Sequence, residues 1–171
     1  MNEETLKQIL EHDISGHPDN DLPEKVFELV SQLTPLVNVD LLIKNKNKET
    51  LLVWRCDQYY GPGWHVPGGI IRFKEKIASR VKITSKKELS CKIVSISDKP
   101  IAFNELFAKN RDIRGHFISL LFDCVIDENC YYQHFDETKE NLKHGDAMWH
   151  KTCPKNLIEQ HHIYREFIKG I

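Results

Sequence analysis

The chain has no long apolar run, no C-x-x-C pair, no excess of charge of either sign and no internal repeat. Each absence closes off a class of protein. A helix that crosses a bilayer needs about 20 consecutive apolar residues, and no stretch here approaches that. Lys and Arg number 24 against 25 Asp and Glu, a formal net charge of −1, so no broad basic field exists to hold a nucleic acid. A small anion held by a few local cations stays open. The five cysteines, Cys56, Cys91, Cys124, Cys130 and Cys153, are odd in number and irregular in spacing. That pattern predicts reduced thiols in a cytoplasmic protein, not a zinc cluster. The opening Met1-Asn2-Glu3-Glu4 is acidic and polar, unlike a secretory signal. Neither a membrane nor a nucleic acid is expected as a partner.

What is present suits a soluble fold with its own core, since 171 residues suffice to bury one. The expected division is an N-terminal extension over 1–21 and a single domain over 22–171. Residues 1–12 read as a short helix, and His17-Pro18-Asp19-Asn20-Asp21 as a break. Pro23 suits a first helical turn, and Val26, Phe27, Leu29, Val30 and Leu33 recur at helical spacing until Pro35 stops them. Leu36 to Ile43 and Thr50 to Arg55 read as strands joined by the turn Asn45-Lys46-Asn47-Lys48, a predicted hairpin. A Gly/Pro/Tyr loop spans Asp57 to Gly69, and a helix spans Glu75 to Leu89. Extended segments follow at Lys92 to Ile96, Ile101 to Phe107 and Phe117 to Ile126, the last an almost unbroken apolar run of the kind buried inside a sheet. A polar loop over 139–146, a short strand Ala147 to His150 and a helix Asn156 to Ile168 complete the chain. Helices alternating with strands predict an α/β (α+β) fold, a mixed sheet sandwiched between helices.

The segment Trp64-His65-Val66-Pro67-Gly68-Gly69 and the helix after it carry the chemistry. Two glycines leave backbone carbonyl and N–H groups uncovered. At about 100° per residue, Ile77, Val81, Thr84 and Glu88 fall on one helical stripe, which directs Glu88 toward the core's edge. A carboxylate there needs a cation, a donor or a proton. Mg²⁺ takes oxygen ligands and commonly uses one or two carboxylates plus substrate phosphates. Glu88 and the Gly68 carbonyl are therefore candidate ligands, against the plainer alternative that Glu88 is solvated or paired with a lysine.

The same segment resembles a worn Nudix box, G-x5-E-x7-R-E-U-x-E-E-x-G-U with U aliphatic. Gly69 and Glu75 keep its spacing, and its second half falls on Ile83 to Cys91, where only Glu88 survives among the polar positions. The chain is similar to the GDP-mannose mannosyl hydrolase branch, whose box is degenerate. Thr34-Pro35-Leu36-Val37 with Asp40, Leu51-Leu52 with Arg55, Trp64-x-Val66-Pro67-Gly68-Gly69, Glu88-Leu89, and His144 before Gly145-Asp146 and Trp149 follow that branch in order over roughly residues 22–168.

The resemblance implies a Nudix fold and a homodimer. It implies hydrolysis of a nucleoside-diphosphate sugar, with water attacking the anomeric carbon and a nucleoside diphosphate leaving. In that scheme His144 is the general base and Arg55 holds the diphosphate. Glu88 and the Gly68 carbonyl hold Mg²⁺, with Mn²⁺ as the other ion considered. Tyr59, Tyr60 and Trp64 either line the substrate pocket or pack their loop on the sheet, and Lys143 is a candidate contact to the diphosphate. The chain departs from the pattern at Ile70 and Ile83, where the family has arginines. It also departs at Lys143, where the family has a metal-binding glutamine, and near Glu105-Leu106, where it has a histidine. Glu140 or Asp146 would then be substitute ligands. These departures leave two further readings, a nucleotide-sugar-binding module without turnover and a phosphohydrolase that cleaves the pyrophosphate. Asn110 to Arg114 reads as a polar turn, with contact of Arg111 or Arg114 to a phosphate left open, and His161-His162 reads as helix surface.

Overall fold

The computed structural model describes residues 24–109, 111–127, 129–130 and 141–169, with Glu4 and Lys7 ahead of them. Of the expected helix over 1–12 only Glu4 and Lys7 are included, both helical. The break at 17–21, Pro23, the boundary at 21 and Glu140 lie outside the described residues.

Helix α1, Glu24–Leu33, buries Val26 and Phe27 and ends just ahead of Pro35. Strand β1, Leu36–Ile43, then enters a five-stranded mixed sheet. It runs antiparallel to β4, Gly68–Ile70, and parallel to β7, His116–Ile126. The long β7 takes β6, Ala102–Phe107, along its first half and β5, Ile93–Ile96, along its second. A second, three-stranded antiparallel sheet holds β3, Gly63–His65, then β2, Thr50–Arg55, then β8, Ala147–His150. Helix α2, Ile77–Leu89, follows β4, and a 3₁₀ segment, Glu159–Tyr164, runs into the short α3, Arg165–Ile168.

The apolar runs are continuous because their strands are covered on both faces. In β1, Val39, Leu41 and Ile43 join one core with Val81 and Leu89 of α2, while Leu42 joins a second with Trp64, Tyr164 and Ile168. Strand β2 divides likewise, Leu51 and Val53 against Leu52. Successive side chains on a strand point to opposite faces, so each layer takes every second residue.

Several expectations are corrected. The segment 36–55 does not form a hairpin ladder: β1 and β2 lie in different sheets and share an isolated bridge, Lys44 to Thr50. The turn itself forms, with Asn45 N–H bonded to the Glu49 carbonyl, but both edges of β1 are already taken by β4 and β7. The loop 57–69 contains β3 and the start of β4. Ile77 is exposed at 41%, and the buried face of α2 is instead Arg80, Val81, Thr84, Ser85 and Leu89. The C-terminal helix is mostly 3₁₀. Cys91 and Cys130, separated by 39 residues, form a disulfide with a Cα–Cα distance of 5.4 Å, so the thiols are not all reduced. Spacing in sequence does not report proximity in space. Among the described residues no helix is long and apolar enough to cross a membrane.

The two glycines of β4 are required by close approach. A Cβ on Gly68 would stand 2.1 Å from Asp40 Oδ1, and one on Gly69 would stand 2.3 Å from Thr84 Oγ1. Strand β4 is thus wedged between β1 and α2. Overpacking of this kind costs about 1–3 kcal/mol. Gly69→Ala should lower the unfolding free energy by that amount, and the chemical-denaturation midpoint with it, and adding Thr84→Ala should recover part of the loss. An unchanged midpoint in the single variant would contradict the wedge.

Candidate active site

A cleft of about 920 Å³ is lined by residues of both sheets, among them Gly68, Gly69, Glu88, Arg55, Tyr60 and Arg114. The part lined by Gly68 and Gly69 is built by the wedge. Residues Leu41 and Pro67, and Ile71 and Val37, are hydrogen-bonded across β1 and β4. Bonded and non-bonded pairs alternate in an antiparallel ladder, so Gly68, opposite Asp40, falls at a non-bonded position. Its carbonyl is not used by β1. Glu88 lies in the last turn of α2, and its Oε2 is buried with no hydrogen-bond partner. His65 Nε2 stands 3.5 Å from it.

Glu75, the other surviving box carboxylate, has a structural use. It accepts from Arg80 Nε at 2.8 Å and from the Arg72 N–H at 2.9 Å, with both side chains of the Glu75–Arg80 pair almost fully buried. Its arginine comes from three residues before Ile83, so the cationic partner sits one turn earlier in α2.

Behind Gly68, Asp40 is fully buried. Asn38 Nδ2 donates to its Oδ1 at 2.7 Å, and Tyr164 Oη to its Oδ2 at 2.5 Å, with Ser119 Oγ donating to the same oxygen. Burial raises the carboxyl to about 6, opposed by the bonds from Ser119 and Tyr164 and reinforced by Glu88. Burial, and next the Asp40 carboxylate, push the Tyr164 hydroxyl up.

Arginines also stack on aromatic rings here. Arg55 and Arg111 both lie over the Tyr60 ring, at 4.5 and 4.2 Å, and Arg114 lies over Phe27 at 4.3 Å and Tyr59 at 3.9 Å. Arg55 is also bound to Asp57 at 2.6 Å. Partial burial raises Asp57, but the Arg55 guanidinium and the Tyr59 and Tyr60 N–H groups outweigh it and hold the carboxyl below its usual range. Arg111 bonds the Tyr59 carbonyl. Arg114 Nε is buried with no hydrogen-bond partner, which makes it an unspent donor in the cleft wall.

Three histidines line the cleft, in different states. His65 Nδ1 lies 2.8 Å from the Val53 carbonyl; a carbonyl only accepts, so Nδ1 carries a proton, and in the neutral ring Nε2 carries the lone pair. His161 Nδ1 accepts the Val66 N–H at 3.0 Å, and burial, then His65, depress its pKa well below the ordinary value. It is a buried neutral ring, not helix surface. His144 Nδ1 accepts the Cys56 N–H at 3.3 Å, which leaves the proton of the neutral ring on Nε2.

The remaining predicted residues divide. Trp64 is 4% exposed and packs edge-on against Trp54 and His150, so of its two possible roles it takes the packing one. Tyr59 presents its ring to Arg114 and its hydroxyl to Glu24 at 2.7 Å. The Lys143 side chain is exposed, and its backbone N–H is held by Asp146 at 2.6 Å. Asp146 thereby closes the loop that presents His144. Glu105, where the resemblance expects a histidine, is bonded to His116 at 2.9 Å. Among the described residues no three His, Cys, Asp or Glu side chains converge as a metal cage. A cation here would draw on Glu88, the Gly68 carbonyl and oxygens from outside the protein, the usual provision for Mg²⁺ on a phosphate.

No family model matches the chain. It is 27% identical over 116 residues to the low-salt glycan biosynthesis protein Agl8 of Haloferax volcanii, covering 66% of this chain and 72% of that one. Its structure superposes on a MutT Nudix hydrolase from Burkholderia pseudomallei with a TM-score of 0.58 at 17% identity, covering 78% of this chain and 97% of that one. A MutT protein from Methanosarcina mazei Go1 gives 0.56 at 19% identity, over 79% and 94%. A UDP-X diphosphatase gives 0.55 at 16%, over 97% and 67%. The fold is the Nudix fold. At these identities the likeness is one of architecture, and in this Nudix fold the cleft lies against the glycine pair and the end of α2.

The buried Asp40 gives a signed pH dependence. Its carboxyl binds a proton more tightly folded, at about 6, than at its ordinary value of 3.8, so its ionisation opposes folding as pH rises through that window. The stability of Asp40→Asn relative to wild type should move in the variant's favour by about 3 kcal/mol from below pH 4 to above pH 6. The difference isolates Asp40 from His150, which burial lowers to about 4 and which contributes the opposite slope. Denaturant midpoints at matched pH values measure it, and a pH-independent difference would contradict the assignment.

Proposed function

We propose that the cleft binds a nucleoside-diphosphate sugar with a divalent cation and hydrolyses it, water attacking the anomeric carbon and the nucleoside diphosphate leaving. The observation that carries this reading is the Glu88 Oε2 atom, buried in the cleft wall without a hydrogen-bond partner. An unpartnered buried carboxylate oxygen is costly unless a cation meets it. Glu88 and the Gly68 carbonyl are the proposed ligands, and Mg²⁺ or Mn²⁺ the proposed ion. When bound, such a cation offsets negative charge on phosphate oxygens and on the leaving group. The glycan biosynthesis protein and the UDP-X diphosphatase among the similar chains agree with a sugar-nucleotide substrate.

The protein's own part is binding and proton transfer. Arg114, with its unspent Nε, is the stronger candidate for the diphosphate, and Arg55 joins it if Asp57 releases it. The Tyr60 ring, in contact with both Arg55 and Arg111, orients the two guanidinium groups. His144 is the proposed general base. In the resting arrangement its Nε2–H is a donor, suited to a phosphate oxygen. The base role needs Nδ1 to exchange the Cys56 N–H for the attacking water, and the 3.3 Å length of that bond makes the exchange inexpensive. A binding module without turnover is favoured by one observation, the pairing of Arg55 with Asp57.

Phosphorus NMR with GDP-mannose and Mg²⁺ separates these readings. GDP as product is expected. GMP would mean attack at phosphorus, and unchanged substrate with measurable binding across a nucleotide-sugar panel would mean a binding module. His144→Gln keeps an N–H donor but cannot take a proton. It should lower kcat by about 10²–10⁴-fold with nucleotide affinity retained, and undiminished turnover would contradict the base role.

A further inference from the structure

We propose that His65 is a second side-chain ligand, beside Glu88, for the divalent cation of this cleft, and that it shifts the site's preference from Mg²⁺ toward metals that accept nitrogen. The inference rests on the cation reading above and adds a residue that neither the box spacing nor the family resemblance singles out.

The orientation of the ring comes first. His65 donates its Nδ1–H to the Val53 carbonyl at 2.8 Å, and its edge is braced by the His161 ring, centroids 5.9 Å apart. In the neutral ring the lone pair is thereby fixed on Nε2. A ligating imidazole almost always has this arrangement, with the far nitrogen donating to a carbonyl or carboxylate. Among the cleft histidines, His144 and His161 have the reverse one, with Nδ1 accepting a backbone N–H.

The spacing comes second. His65 Nε2 and Glu88 Oε2 are 3.5 Å apart. That is beyond the roughly 2.7–3.2 Å of a good N–H···O bond, and Glu88 Oε2 makes no hydrogen bond. Two donors each about 2.1 Å from one tetrahedral cation stand roughly 3.4 Å apart. The pair is therefore spaced as two ligands of one ion. Both side chains line the cleft beside Gly68, and both are largely sheltered, at 9% and 28% exposure. Oxygen-only sites suit Mg²⁺, whereas an imidazole nitrogen favours Co²⁺, Ni²⁺ or Zn²⁺.

Calorimetric titration of Mg²⁺ and Co²⁺ into wild type, His65→Phe and Glu88→Gln tests the assignment, with the visible spectrum of the Co²⁺ complex as a second readout. Wild type should bind Co²⁺ more tightly than Mg²⁺ by on the order of tenfold or more. His65→Phe should lose that preference and keep Mg²⁺ binding, and Glu88→Gln should lose both ions. Unchanged Co²⁺ affinity and spectrum in His65→Phe would overturn the role of His65 while leaving that of Glu88 intact. Unchanged binding in Glu88→Gln would overturn the cation reading itself, and the proposal with it. Because His65 is buried, a reading on wild type is also needed. Proton NMR of the Co²⁺-loaded protein should contain a strongly shifted exchangeable proton, the His65 Nδ1–H, and its absence would overturn the proposal.

Discussion

The missing side chains of Gly68 and Gly69 are the constraint on which the rest depends. Strand β4 lies so close to Asp40 on one side and Thr84 on the other that no Cβ fits at either position. Close approach brings α2 down onto β1 and β4, and so carries Glu88, at the end of that helix, to the cleft. It also seals Asp40 behind the strand, where Asn38, Ser119 and Tyr164 satisfy the carboxylate. Backbone packing and site geometry are thus one structural fact. The buried Glu75–Arg80 pair at the start of the helix fixes its other end.

The polar groups of the cleft fall into those already used and those left over. Arg55 with Asp57, Arg111 with the Tyr59 carbonyl and His161 with Val66 are used. Glu88 Oε2 and Arg114 Nε, one an acceptor and one a donor, make no hydrogen bond, and both residues line the cleft. Native interiors rarely leave such atoms unpaired. A ligand that is anionic at one end and brings a cation to the other would satisfy both. A diphosphate with a divalent metal has that character.

Much of the architecture is legible in the sequence because its signals are local. The apolar run Phe117 to Ile126 and the helix ahead of Pro35 each follow from short-range pattern. What spacing cannot report is which strands pair. The turn at Asn45 to Lys48 implies a hairpin, yet β1 finds its partners at β4 and β7. The disulfide between Cys91 and Cys130 is non-local for the same reason. In the site, Glu88 and Gly68 come from motif spacing. His65, His161 and the Arg114 stack depend on tertiary contacts with Val53, Val66, Phe27 and Tyr59. The identity of Trp64 suggests a ligand platform, whereas its position between Trp54 and His150 makes it core.

The central claim is that Glu88 is held ready for a cation in this cleft. Anomalous scattering from a crystal of the protein grown with Mn²⁺ and GDP tests it most directly. A single Mn²⁺ peak bonded to a Glu88 carboxylate oxygen, with the diphosphate between it and Arg114, is the predicted result. A diphosphate bound with no metal near Glu88, or a metal held elsewhere, would contradict the account.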